Sequence, residues 1–119
     1  MKKVFLVLAL LALVFLGGAK NDKCGDFLRR LGYSFSDETV TEFVIPSEFD
    51  SVYERYNDLQ IEAGFDLLPY AGEKCEMHTY ELLNHPLGKC RANLIIFEGK
   101  IIGGDISSVE LDGFMEPLR

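Results

Sequence analysis

Basic residues are scarce in this chain of 119 residues: 12 lysines and arginines stand against 19 aspartates and glutamates, a net charge of −7. That shortage disfavours nucleic acid as a partner, because holding a phosphate backbone takes a basic patch and none is visible. An anionic membrane surface is disfavoured for the same reason. Cysteine is equally sparse, and the three present, Cys24, Cys75 and Cys90, are odd in number, so at least one thiol lacks an intramolecular partner. No apolar run is long enough to span a bilayer comfortably: Val4 to Leu16 is 13 residues, against a requirement of roughly 20. The sequence also has no Walker loop, since Gly103-Gly104 is not followed by Lys and Ser or Thr, no Gly-x-Ser-x-Gly elbow, no His-Glu-x-x-His and no paired Cys-x-x-Cys. Internal repeats and low-complexity tracts are absent, which leaves one globular unit.

What is present begins with an export signal. Lys2 and Lys3 supply a basic start, Val4 to Leu16 the apolar stretch, and Gly17-Gly18-Ala19 the small residues of a cleavage site after Ala19. The alternative is an uncleaved membrane anchor over residues 1–19, tilted or mismatched in the bilayer. A lipid anchor on Cys24 is disfavoured, because Asn-Asp-Lys rather than small apolar residues precede it. Residues 20–119 then form a single domain, and loss of Lys2 and Lys3 leaves 10 basic against 19 acidic groups, a net charge of about −9. Export makes disulfides permissible.

Hydrophobic periodicity and stop signals place a short helix over 22–31, capped by Asn21 or Asp22 and ended at Gly32, and a strand over 38–45 that Pro46 closes. The strongest helical pattern lies over 47–63, where Phe49, Val52, Tyr53, Tyr56, Leu59 and Ala63 recur at spacings of three and four and Ser47 with Asp50 resembles a cap. A helical turn over Asp66 to Leu68 is expected to stop at Pro69. Strands follow over 75–83, 91–97 and 100–106. The fold class is α+β: a small, mostly antiparallel sheet of about four strands covered by one main helix. If 38–45 and 75–83 share that sheet across the helix, they are parallel, with a right-handed crossover.

The two residues Glu98-Gly99 specify a tight turn, which sets Ile96 opposite Ile101, Leu94 opposite Gly103 and Asn93 opposite Gly104. Closing Leu83 onto Cys90 sets Thr79 opposite Leu94 and Met77 opposite Ile96. Alternation then leaves both faces apolar, Met77, Thr79, Leu83, Leu94, Ile96 and Ile101 on one and His78, Tyr80, Leu82, Ile95, Phe97, Ile102 and Ile106 on the other. Each needs a cover: the 47–63 helix for one, the first helix with Val109, Leu111, Phe114 and Leu118 for the other. Gly103 and Gly104 fall on opposite faces and serve as clearance for those covers.

Chemistry is thin. Cys75 and His78 point to opposite faces, so they cannot pair, and Cys75 and Cys90 begin different strands about 23 Å apart, far beyond disulfide reach. His85 in the hairpin loop can approach Cys90, but no third residue to orient the imidazole is identifiable. Asp105, Glu110, Asp112 and two serines offer hard oxygen ligands, without the spacing of an EF-hand loop. Tyr53, Tyr56, Tyr70 and Tyr80 fit core packing better than a sugar or peptide platform. No catalytic, cofactor-binding or metal residue is therefore assigned, and no cofactor is expected.

The stretches "VIPSEFDSVYERYNDLQIEAGFDL" and "RANLIIFEGKIIGGDISSVELDGFM", preceded by "FLRRLGY", resemble an uncharacterised bacterial family of clostridia and related Firmicutes, the domains of unknown function numbered 4830. The resemblance implies no activity and no catalytic residues; it implies a domain behind an export or membrane segment at a Gram-positive cell surface. The expected role is an exported, non-catalytic interaction domain at the cell envelope with a protein or envelope partner, reached through an edge strand such as Thr39 to Ile45. The alternatives are a small envelope enzyme using Cys90 with His85, or Asp105 with Asp112, and a structural module that buries an apolar sheet face in a homodimer. The intact mass of the exported product is expected to lack residues 1–19; a mass that includes them identifies the uncleaved anchor.

Overall fold

The computed structural model describes residues 22–110 and 113–119, so residues 1–21, where the export signal is expected, and Leu111 and Asp112 lie outside the described residues. Helix α1 (Lys23–Arg30) leads into strand β1 (Phe35–Val44), helix α2 (Ser51–Glu62) and a single 3₁₀ turn (Leu68–Tyr70). Strands β2 (Lys74–Leu82), β3 (Cys90–Phe97), β4 (Lys100–Ser108) and β5 (Met115–Glu116) follow. The five strands form one sheet in the order β1-β2-β3-β4-β5, every neighbouring pair antiparallel. The α+β class and the antiparallel hairpins of β2, β3 and β4 are as expected, with β5 as an additional short strand.

Element boundaries shift for identifiable reasons. The main helix begins at Ser51 rather than 47, because the Asp50 carboxylate accepts the Tyr53 amide N–H at 2.8 Å and so caps it in place of Ser47. β1 begins three residues earlier than 38, carried through a bulge between Ser36 and Glu38 at Asp37, whose φ is 52°. Pro69 sits inside the 3₁₀ turn rather than stopping one.

The parallel crossover is not formed: β1 and β2 are antiparallel, with Phe43 opposite Cys75 and Val44 opposite Lys74. The reason lies in the path between them. α2 leads to β4, where Tyr56 and Gln60 make their contacts. The returning chain lays Leu67 beside Gly103, sets Tyr70 edge to face against Phe97 of β3 and bonds Gly72 N–H to the Ile45 carbonyl at 2.8 Å. The end of β1 at Val44 lies opposite the start of β2 at Lys74, so the connection returns to the end of the sheet it left and feeds an antiparallel strand.

Register corrects the assignment of faces. Glu98 and Gly99 form the two-residue turn, both with positive φ, and Ile96 faces Ile101 as expected. A bulge at Ile102 then slips the pairing by one, so that Ile95 faces Gly103, Leu94 faces Gly104 and Asn93 faces Asp105. In the other hairpin Leu82, not Leu83, meets Cys90, which sets Thr79 opposite Asn93 and Met77 opposite Ile95. One face therefore carries Cys75, Met77, Thr79, Asn93, Ile95, Phe97, Gly103 and Asp105; Leu94, Ile96 and Ile101 move to the face of Tyr80, Leu82 and Ile106.

Both faces are covered, as the composition required. Ile45, Leu67, Cys75, Ile95 and Ile102 pack with the aromatic residues of α2 and its return leg. On the other side Leu28, Tyr80, Ala92, Leu94, Ile106 and Leu118 pack beneath α1 and the C-terminal segment. The paired glycines lie within the ladder and provide clearance. A Cβ on Gly103 would stand 2.7 Å from Gln60 Oε1 and 3.0 Å from Leu67 Cδ2, and one on Gly104, whose φ is +152°, would collide with the Asn93 carbonyl oxygen and approach Leu118 Cδ2 at 3.0 Å. Gly103→Ala is expected to cost about 1–3 kcal/mol through overpacking. Gly104→Ala is expected to cost more, because backbone strain adds to the clash. Urea denaturation of both variants measures this, and midpoints equal to the parent's would refute the clearance role.

Candidate functional site

α2 presents Tyr53, Tyr56, Asn57 and Gln60 inward, one stripe at spacings of three and four, while Val52 and Ile61 of the same helix are exposed. The polar members each have a structural partner. Gln60 Oε1 accepts the Gly104 amide N–H at 2.7 Å, and Asn57 Oδ1 accepts the Leu67 N–H at 2.7 Å while its amide donates to Asp66 Oδ1 at 2.9 Å. Those bonds hold the helix close to β4 and fix the return leg. Asp66, bonded by Asn57 and by the Leu68 N–H, has its pKa drawn below the usual carboxyl value.

Beside α2 the sheet face is open, and a groove of about 780 Å³ runs there. Each strand contributes to its floor, Phe43, Met77, Asn93, Asp105 and Met115 from β1 to β5 in turn, and Val52, Tyr53, Tyr56 and Leu59 of α2 form the wall with Arg55 at its side. Four strand-to-strand steps of about 4.8 Å give it an extent of roughly 19 Å across the strands.

A polar row crosses the floor where apolar residues would be the rule. Thr39, Thr79, Asn93 and Asp105 are successive cross-strand neighbours. Thr79 Oγ1 donates to Asn93 Oδ1 at 2.7 Å, Asn93 Nδ2 donates to Asp105 Oδ1 at 2.9 Å, and Tyr56 Oη donates to Asp105 Oδ2 at 2.6 Å. The Ser107 hydroxyl also donates to Asp105 Oδ1. Asp105 is only 2% exposed. Its carboxyl group thus accepts on both oxygens, from three donors, and among the described residues no cation is paired with it. Burial and then the neighbouring Asp105 carboxylate push the Tyr56 hydroxyl far above its ordinary pKa, so it remains a donor.

His85 and Cys90 do come together, lining a second cavity of about 560 Å³ at the β2–β3 hairpin. Their surroundings do not make a nucleophile and base. His85 Nδ1 accepts the Leu87 N–H at 3.1 Å and Nε2 donates to Glu116 Oε1 at 2.8 Å, with the ring against Tyr33 and Phe114, so neither nitrogen is free for the thiol. Burial, reinforced by Glu116, pushes the Cys90 thiol up. A third cluster lies on the α1 side, where Tyr80 donates to Glu38 and His78 bridges Glu38 and Glu76 at 3.1 Å each. The hydrogen bonds from Tyr80 and then His78 lower the Glu38 pKa. Among the described residues no three His, Cys, Asp or Glu side chains converge as a metal ion would require. Asp112, the proposed companion of Asp105, lies outside the described residues.

Sequence reasoning named Asp105 but missed its companions. The bulge at Ile102 is what sets Asn93 opposite it, and the register drawn without that bulge placed Asn93 against Gly104. Polar Thr79, Asn93 and Asp105 within three apolar strands were the available signal.

Residues 27–106 match the family described as Domain of unknown function (DUF4830), and the chain belongs to that family. No curated protein and no solved structure matches the chain.

All three thiols are buried, and burial raises them above the ordinary value of 9.0, Cys24 to about 11. The folded protein therefore holds protons that the unfolded chain releases, so stability is expected to fall as pH rises from about 9 toward 11. Urea midpoints at about pH 8 and about pH 10.5 check the sign, and alkylation of the native thiols is expected to be slower than that of a free cysteine peptide. An unchanged midpoint together with rapid alkylation would refute both.

Proposed function

We propose that this protein is an exported binding domain of the bacterial cell envelope that takes a linear, apolar segment of a protein partner in the groove beside α2. The observation that carries the reading is the groove itself: mostly apolar, open to solvent and floored by all five strands, with Asn93 and Asp105 as the polar groups of its floor and Arg55 at its wall. Sites that recognise partners combine such apolar walls with a few placed polar groups. The export signal in residues 1–19 and the acidic surface support an extracytoplasmic address and a protein rather than nucleic-acid partner.

Catalysis is the weaker reading. Asp105 and Tyr56 are bonded to each other, and Cys90 lacks an available base, so no described group is poised to exchange a proton or attack a substrate. The face beneath α1 and the C-terminal segment needs no homodimer to shield it; on the other face α2 leaves the groove open.

Val52 and Met115 line the groove and are 64% and 52% exposed, so Val52→Asp and Met115→Asp are expected to change stability by no more than about 0.5 kcal/mol. Both are expected to weaken capture of the envelope partner at least about tenfold. Leu87→Asp, at a 66% exposed position outside the groove lining, is expected to leave capture unchanged. Titration of the partner recovered with the parent protein against the three variants measures this; equal loss in all three, or loss in none, would overturn the assignment of the groove.

A further inference from the structure

The groove floor holds a carboxyl group that takes part in no ion pair among the described residues. Asp105 lines the floor, is buried, and appears in none of the ion pairs among the described residues. An anion in an apolar setting is costly unless it is paired or well bonded. Three donors partly meet that need: Asn93 and Ser107 at Oδ1, and Tyr56 at Oδ2. A carboxylate offers about four lone-pair sites, so one remains, on Oδ2.

We infer that the segment bound in this groove carries a lysine whose ammonium group docks on Asp105. This rests on the groove being the binding site. One open lone pair suits a compact ammonium; a guanidinium fork needs both oxygens, and Oδ1 is already occupied twice. The path to the carboxylate favours the same choice. Met77, Leu59 and Val52 offer apolar contact for the four-carbon stem, and Tyr53 and Tyr56 offer aromatic surface beside the charge. An extent of roughly 19 Å across the strands accepts about six extended residues, which sets the occupant as a peptide segment rather than a lone amine. Arg55 lines the same groove and would repel a lysine or attract an acid, so the competition between it and Asp105 is part of the test. Arg55 stands on the exposed side of the wall, its Nε donating to the Ser51 carbonyl, where water screens it more than it screens the buried carboxylate.

The test uses the mature domain and three blocked hexapeptides of leucine, valine and serine that differ only at one central position: lysine, norleucine or glutamate. Binding is followed by amide NMR shifts at about 0.5 M salt, which screens general attraction to the acidic surface. The lysine peptide is expected to shift Tyr53, Asn93 and Asp105 and to bind about tenfold more tightly than the norleucine peptide, with the glutamate peptide weakest. Asp105→Asn is expected to bring the lysine peptide down to the norleucine level; the comparison between peptides on the parent protein stands even if that variant does not fold. Equal affinity for lysine and norleucine, with shifts in the groove, would overturn the ammonium contact and leave the groove as the binding site. Preference for glutamate would overturn it in favour of Arg55. Absence of groove shifts with every peptide would overturn the binding site itself. Vesicles of ethanolamine-headgroup lipid that shift these residues where the peptides do not would replace the peptide by a membrane amine.

Discussion

The structure depends on one hydrogen bond, from the Gly104 amide to Gln60 Oε1. β5 pairs with β4 only at Ile106 and Ser107, so at Gly104 the outer edge of β4 has no neighbouring strand. A buried N–H without an acceptor costs about 1–3 kcal/mol. Gln60 is the acceptor that α2 provides, and reaching β4 requires an approach so close that Gly103 can carry no side chain. The same contact sets the rotation of the helix. With Gln60 inward, Tyr56 and Asn57 share its face one turn earlier, so Tyr56 meets Asp105 and Asn57 meets the return leg. The groove is thus a consequence of how the sheet edge is completed.

Asp105 and Cys90 are both buried, among different neighbours. Asp105 is surrounded by donors from three elements, which give its oxygens the hydrogen bonds that water would have made. Cys90 has an acidic neighbour in Glu116 and an imidazole already committed elsewhere, so burial only disfavours its thiolate. Both stand in cavities, and both are residue types that chemistry uses. On the proposed reading, only Asp105 receives a charged partner.

Much of the fold was legible in the sequence, because it rests on local rules. Helix stops at Gly32 and Gly64, the two-residue turn at Glu98-Gly99, the apolar character of both sheet faces and the clearance role of Gly103 and Gly104 follow from residue type and spacing. The features missed are those that depend on long-range pairing. An antiparallel return of β2 beside β1 is decided by where Leu67 and Tyr70 pack, and no local pattern records that. A one-residue bulge at Ile102 changes which side chains meet across two strands. The inward stripe of α2 is half polar, so an apolar periodicity misassigned Val52 as buried and left out Asn57 and Gln60. Those two amides serve backbone groups of other segments, and their role becomes visible only when the segments are assembled.

The arrangement around Asp105 bears on what the site can do as well as on how it is held. A carboxylate that acts as a base must take a proton, and a tyrosine that acts as an acid must give one up. Asp105 accepts from three donors, and the Tyr56 hydroxyl, buried beside a carboxylate, is held in its neutral form with its proton directed at Asp105. Those bonds fix the pair as it stands. Its fixed geometry, with Thr79 and Asn93 continuing the row behind it, favours recognition, where a preoriented anion pays little reorganisation on meeting a cation. On the proposed reading, the same polar row that fixes the floor would make it selective, where an apolar groove without it would accept hydrophobic segments of any charge.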